Sequence, residues 1–346
     1  MNASIEKRAQ GLSSTLLETP VKASASAPGK VILVGEHFVV EGSPAIAVAV
    51  DVRARATAEA AEGDLVTISS RELGEASFGP GAGGGPLYPV YVAVQEIFKR
   101  AGRRAGLRLT IESDIPPGAG MGSSAAVAAA AAAATARLLG LPLSPDEIAQ
   151  AALAAETIVH GKPSGIDPAV TSYGGAIYFK RGAKPERISA DFGRVRLVLA
   201  DSGIQRSTGA LVARVLETKR RHPEVLEPLY KAAANLAEKA RSALEKGDFA
   251  TVGELMNINH GMLSALGVSN AKLEELVYAA REAGALGAKI TGAGGGGMIV
   301  ALCWSEDAER VARALSGIAA RTIIAPVSEK GATSALARAP TSRPSS

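Results

Sequence analysis

Apolar and polar positions alternate with period two through much of the first third of the chain. Val48, Val50 and Val52 fall on one face of one extended segment, and Leu107, Leu109 and Ile111 on one face of another, the spacing of half-buried strands. Strands are therefore predicted in KASASAPGKVILVG, PAIAVAVDVRARATAEA, LVTISS and LRLTIESD. The pattern turns helical over 88–101, and again in an almost pure alanine run that follows Gly122 and ends near Gly140, alanine being the best helix former. The next helix has a full start signature, with Ser144 as N-cap, Pro145 in the first turn and Glu147 three residues after the cap. Ile148, Ala152, Ala155 and Val159 are predicted to form its inner face, with Glu156 at the edge.

The second half reads as a strand at VRLVLADSG, helices over 208–221, 224–246, 248–265 and 270–284, a glycine cluster ITGAGGGG, a strand MIVALCW, a helix over 305–316 and a strand near 321–327. Strands and helices mix without strict alternation, which favours an α+β protein of two lobes over a doubly wound sheet. Residues 1–21 read as a loose leader, 22–185 as a first lobe, 186–334 as a second and 335–346 as a frayed, Pro/Ser-rich tail. GPGAGGGP at 79–86 reads as a loop.

Composition narrows the class. The 346 residues are 47% hydrophobic and 21% charged, with a net charge of +4 and only 4% aromatics. That is a globular chain with no case for nucleic acid. Cys303 is the single cysteine, so neither an internal disulfide nor a cysteine-built zinc site is available, and its apolar setting predicts a buried, inert thiol. The N-terminus shows no secretory pattern. The longest uncharged run, Ile115 to Ala136, opens with prolines and glycines and continues in weakly apolar alanine, so no membrane span is expected. A cytoplasmic location is the expectation.

Four stretches carry candidate chemistry. PPGAGMGSSAAV places glycines and serines before the alanine helix. This fits either a capped turn or a phosphate cradle, because a helix N-terminus offers unpaired N–H groups and the positive end of its dipole. It is neither a Walker A loop nor G-x-G-x-x-G. APGKVILVGEHFVVEGSPA sets Lys30 at the opening of an apolar strand and breaks that strand with Glu36 and His37. Lys30 is either snorkelling or functional, and the break is either a solvated turn or a site. AETIVHGKPSGIDPAV puts Asp167 before Pro168, which suits an N-cap as well as a catalytic carboxylate. Glu156 is either a half-buried helix carboxylate or a ligand, and His160 fits a partner of its helix dipole. KITGAGGGGMIVAL is either a tight turn or a close backbone approach to a ligand. The Asp191-Phe192-Gly193 run has the letters of a protein-kinase metal motif, but no H-R-D loop or V-A-I-K strand accompanies it. Asp191 reads as a turn residue.

Together and in this order, the four stretches resemble the GHMP small-molecule kinase superfamily, and within it the mevalonate kinase family. PGKVILVGEH resembles the first family motif, PPGAGMGSSAA the second and ITGAGGGG the third. HGKPSGIDPAV and DSGIQRSTGALVARV resemble the mevalonate kinases in particular. Galactokinases usually carry an arginine where Lys30 stands, and Thr-Asp-Tyr where Phe38-Val39-Val40 follows here. The likeness spans about 22–330.

The resemblance implies a ribosomal-S5-like first lobe and a ferredoxin-like second lobe, with ATP and an acceptor alcohol meeting between them. It implies transfer of the γ-phosphoryl of ATP to the terminal hydroxyl of mevalonate, and often a homodimer. Pro117, Gly118, Ala119, Gly120, Met121, Gly122, Ser123 and Ser124 would hold the phosphates, and Ser124 and Glu156 would ligate Mg²⁺. Asp167 would accept or orient the hydroxyl proton with Lys30 beside it. Glu36, His37, Arg181, Ser207, Thr208 and Gly294 are the remaining acceptor-side candidates. Phosphomevalonate, homoserine or a sugar as acceptor, and a non-catalytic ATP-binding regulator, are the competing readings.

Overall fold

The computed structural model describes residues 22–161, 163–205 and 208–337. The leader 1–21 and Ser207 lie outside them. Two sheets organise the chain. The larger has eight strands in the order β12-β1-β2-β5-β3-β4, with β6 pairing β2 and β7. These are β1 (Lys22–Val34), β2 (Ala45–Ala61), β3 (Val66–Ser70), β4 (Gly74–Phe78), β5 (Gly106–Ser113), β6 (Ala176–Phe179), β7 (Glu186–Ile188) and β12 (Thr333–Ala337). All pairings are antiparallel except β3 with β5. The smaller sheet, β11-β8-β10-β9, is wholly antiparallel. It is built from β8 (Val195–Asp201), β9 (Gly287–Ile290), β10 (Met298–Trp304) and β11 (Arg321–Ala325).

The helices are α1 (Tyr88–Ala101), α2 (Ser123–Leu138), α3 (Pro145–His160), α4 (Ile166–Tyr173), α5 (Thr208–Arg221), α6 (Pro223–Glu245), α7 (Phe249–Ala265), α8 (Ala271–Glu282) and α9 (Ala308–Ser316). A 3₁₀ turn, Phe38–Glu41, follows β1. Helix α2 packs on β1 and β2 and is flanked by α1 and α3. Ala125, Ala126 and Ala128 through Ala134 are all buried, as expected of a helix apolar on every side. The capping box on α3 forms as the sequence predicts: Ser144 Oγ accepts from Glu147 N, and Ser144 N donates to Glu147 Oε2 at 2.8 Å. Asp191 is a turn residue, accepting from Gly193 N at 2.9 Å. Burial pushes the Cys303 thiol up to about 12, so it stays protonated and inert. No helix among the described residues is long and apolar enough to cross a membrane.

Three expectations shift. Residues 186–188, placed at the start of the second lobe, pair with β6 in the first lobe's sheet. Residues 335–337, placed in a frayed tail, belong to β12, which closes the free edge of β1. An unpaired edge is a liability that a returning strand removes. Val159, placed on the inner face of α3, is 47% exposed, and Glu156, placed at the edge, is buried. The helix turns Glu156 inward because Ser124 supplies a partner for its carboxylate.

Candidate active site

Strand β1 delivers the first functional side chain. Pro28 has no N–H for the ladder, and the β1–β2 register shifts between Pro28 and Gly29. Just beyond that irregularity Lys30 N donates to Met121 O at 2.9 Å, and Lys30 Nζ to Gly120 O at 3.1 Å. The strand is thus stitched to the glycine loop. Lys30 is 4% exposed, so it does not snorkel. Its ammonium faces the Asp167 carboxylate, with Nζ 3.1 Å from Oδ1.

Asp167 reaches this position from the first turn of α4. The N-cap of that helix is Gly165, in the left-handed region at φ 91°. The N-cap reading of Asp167 is therefore wrong, and its carboxylate is released from capping to face Lys30. The αL geometry at Gly165 starts the helix two residues before Asp167.

The glycine loop lies over this pair. Gly118, Gly120 and Gly122 have φ of 71°, 80° and 68°. Gly122 is the N-cap of α2 and has no side chain with which to cap, so the first-turn N–H groups are left for an anion. A Cβ on Gly122 would lie 3.0 Å from Lys30 Cγ and 3.4 Å from Asp167 Oδ2. Any side chain there would crowd both members of the pair. In the first turn of α2, Ser124 Oγ donates to Glu156 Oε1. His160, one turn further along α3, places Nε2 3.8 Å from Glu156 Oε2. Burial, and then the negative charge of Asp167, hold the Glu156 carboxyl above its ordinary range, although the Ser124 hydrogen bond opposes this.

A cavity of about 300 Å³ opens beside the pair, in the size range of small-molecule sites. Its apolar wall includes Ile32, Val39, Val40, Ile166 and Val212, and its polar positions include His37, His160, Ser164 and Thr208. His37 has φ 61° and is the only non-glycine residue with positive φ among the described residues. Its Nε2 lies 2.8 Å from Ala293 O. A carbonyl only accepts, so Nε2 carries a proton.

The predicted acceptor residues thus separate. Lys30, Glu36, His37, Asp167 and Thr208 line the cavity. Arg181 does not: its guanidinium donates to Val40 O at 3.0 Å, behind the wall. Gly294 is also outside the lining. A Cβ there would meet Val268 O at 2.2 Å, so its role is close packing against the α7–α8 connection.

Sequence reading missed three buried polar residues of the second lobe. Asn259 Oδ1 accepts from Gly35 N at 3.1 Å, Thr291 Oγ1 accepts from Ile32 N at 2.9 Å, and Lys289 pairs with Glu36. The available signal was polar residues at inward positions of otherwise apolar elements, NINHG and AKIT. It does not by itself distinguish buried from solvated side chains.

Comparison with known proteins identifies the family. Residues 89–175 match the GHMP kinases N terminal domain, and 240–319 match GHMP kinases C terminal. The mevalonate kinase of Thermococcus sibiricus is 40% identical over 327 residues, covering 89% of this chain and 96% of that protein. That of Aeropyrum pernix is 40% identical over 316 residues, covering 90% and 97%. Among solved structures, L. major mevalonate kinase in complex with R-mevalonate matches with a TM-score of 0.78 at 30% identity, covering 90% of this chain and 97% of that one. Methanococcus jannaschii mevalonate kinase also matches at 0.78, with 25% identity, covering 88% and 98%.

Proposed function

Because the chain belongs to the mevalonate kinase family of the GHMP kinases, ATP-dependent enzymes that phosphorylate an alcohol, we propose that the cavity beside Lys30 and Asp167 receives mevalonate and that these two residues run the transfer. The observation that carries this reading is the 3.1 Å Lys30–Asp167 pair, set between the glycine loop on one side and the cavity on the other. Phosphoryl transfer asks a protein for alignment and charge neutralisation more than for covalent chemistry. Both are available here.

The terminal hydroxyl of mevalonate sits against the Asp167 carboxylate, which takes its proton as the oxygen attacks the γ-phosphorus of ATP. A new O–P bond forms, the bond from the γ-phosphorus to the β,γ-bridging oxygen breaks, and ADP leaves. Lys30 pairs with the Asp167 carboxylate before attack and faces the negative charge spread over the phosphoryl oxygens during it. Backbone N–H groups at the start of α2 hold the phosphates. Thr208 is a donor on the acceptor wall, suited to the carboxylate end of mevalonate, and His37, its Nε2–H held by Ala293 O, shapes that wall beside it.

The donor set at Ser124 and Glu156 fits Mg²⁺. Both are hard oxygen donors, they already converge, and a buried carboxylate whose ionisation is held back by its surroundings gains from a cation beside it. No group of three or more His, Cys, Asp or Glu among the described residues gathers into a metal site. Two protein ligands with the nucleotide completing the shell is the usual arrangement for this ion. When bound, Mg²⁺ supplies neutralisation of phosphate charge.

The test is ADP release from ATP in the presence of mevalonate, phosphomevalonate, homoserine and galactose in turn. Release is expected with mevalonate alone. Faster release with another member of the panel reassigns the acceptor, and no acceptor-dependent release sinks the kinase reading.

A further inference from the structure

Strand β9 is an edge strand of the smaller sheet, paired with β10 alone among the described strands. Lys289, in its middle, is 0% exposed, which is exceptional for a lysine unless it is paired. Its side chain leaves the smaller sheet and enters the first lobe. There Nζ donates to the Glu36 carboxylate and reaches Ile32 O at 3.5 Å, besides donating to the carbonyl of its neighbour Ile290. Glu36 is itself 1% exposed. Burial pushes the Glu36 carboxyl up and the Lys289 ammonium down, so each charge depends on the other. Asn259 and Thr291, both 0% exposed, hold Gly35 N and Ile32 N from the same side.

The contacts that cross to the first lobe all fall on one short segment, Ile32 to Glu36. The next residue is His37, at φ 61° and ψ −45°, the centre of a γ-turn in which Phe38 N donates to Glu36 O at 2.7 Å. Backbone strain of this kind costs a residue roughly 1–3 kcal/mol and persists only where the surroundings over-determine it. Ile32, Glu36 and His37 line the cavity, whereas Lys289, Asn259 and Thr291 do not. The phosphate loop lies elsewhere, tied to Lys30 through Gly120 O and Met121 O. A disturbance at Lys289 therefore reaches the acceptor wall before it reaches the nucleotide side.

We propose that Lys289 is a positioning residue for the acceptor half of the site, acting through Glu36 to hold the Ile32–His37 wall and the constrained His37 in place. This rests on the reading that the cavity takes the acceptor alcohol. A purely structural weld between the two lobes is the alternative, and it predicts a change in stability without preference for one substrate.

The experiment is steady-state kinetics on the full chain, with ATP and mevalonate varied separately, for the wild type, Lys289→Met and the double variant Lys289→Met with Glu36→Gln. Lys289→Met strands a buried carboxylate, and the double variant removes that unpaired charge. The single variant is expected to raise the KM for mevalonate about tenfold, within the coupling range of residues in one network, while the KM for ATP stays within about twofold. The double variant is expected to fall between, with mevalonate KM raised about threefold. Parallel changes in both KM values, no change in either, or a double variant as impaired as the single overturns the proposal. If Lys289→Met does not fold, Lys289→Arg, which keeps the charge but displaces its partner, decides instead: a raised mevalonate KM with unchanged ATP KM supports the assignment, and wild-type or parallel values overturn it. A wild type without mevalonate-dependent turnover would instead count against the functional reading.

Discussion

The Lys30 ammonium and the Asp167 carboxylate meet at 3.1 Å because Gly122, directly over them, has no side chain. Lys30 comes from a strand near the start of the chain, Asp167 from the first turn of a short helix, and Gly122 from the loop that caps another helix. Each of the three is expected to respond differently to substitution.

Asp167→Asn keeps the shape of the side chain and removes the carboxylate. Gly165, not Asp167, caps α4, so the fold is expected to survive unchanged. Turnover is expected to fall by about 10²–10⁴-fold, the usual worth of acid–base help, with ATP affinity retained by calorimetry. Turnover near that of the wild type would falsify the role of Asp167.

Lys30→Met leaves a chain of similar length without its charge. Turnover is expected to drop by about 10²-fold or more, the scale of losing one aligned donor in a water-poor site. Circular dichroism should show an unchanged fold. Activity persisting within a few-fold of wild type would mean that Lys30 only anchors the glycine loop.

Gly122→Ala introduces a methyl 3.0 Å from Lys30 Cγ at a φ of 68°. The left-handed conformation alone costs roughly 1–2 kcal/mol, readable as a lower denaturant midpoint. Because the methyl also presses on the pair, kcat is expected to fall as well. A variant that loses stability but keeps kcat would show that the pair tolerates displacement.

Glu156→Gln should expose both the metal and the burial. Burial first, and then Asp167, raise the Glu156 pKa above the 4.5 of a free glutamate. A raised native pKa means that ionisation costs stability as pH climbs through it, and the cost disappears below 4.5, where native and unfolded chains both hold the proton. In the absence of Mg²⁺ and nucleotide, the glutamine variant is expected to melt higher than wild type near about pH 7.5 and to match it near about pH 4. Half-maximal activity is expected to need about tenfold more Mg²⁺ or beyond, the lower end of what disturbing a metal site brings. An unchanged Mg²⁺ titration removes Glu156 from the ligand set.

Much of this architecture was legible from local pattern. The alternation at Val48, Val50 and Val52, the alanine run and the Ser144–Glu147 box each act within a few residues, and each formed as read. The return of β12 to β1 was not legible, since it joins residues some three hundred positions apart through main-chain bonds that any sequence can make. Asp167 before Pro168 looked like a cap because an aspartate there often is one. Only the backbone at Gly165 decides otherwise. Arg181 had the right charge for the acceptor, but its guanidinium turns to Val40 O and lies outside the cavity lining. Lys289 could not be told from a solvated lysine until Glu36 was seen across the lobes.

The alanines of α2 carry a last consequence. Alanine has no χ angle to freeze, so ordering the buried alanines of this helix costs only main-chain entropy. For the same reason those positions have no alternative rotamers through which to relax. The N–H groups at its start are aimed by a column whose buried face is mostly side chains of one shape, and these add little to the scatter. Enlarging a single methyl deep in that column would shift the whole rod, and the phosphate loop would report the shift some distance from where the atom was added.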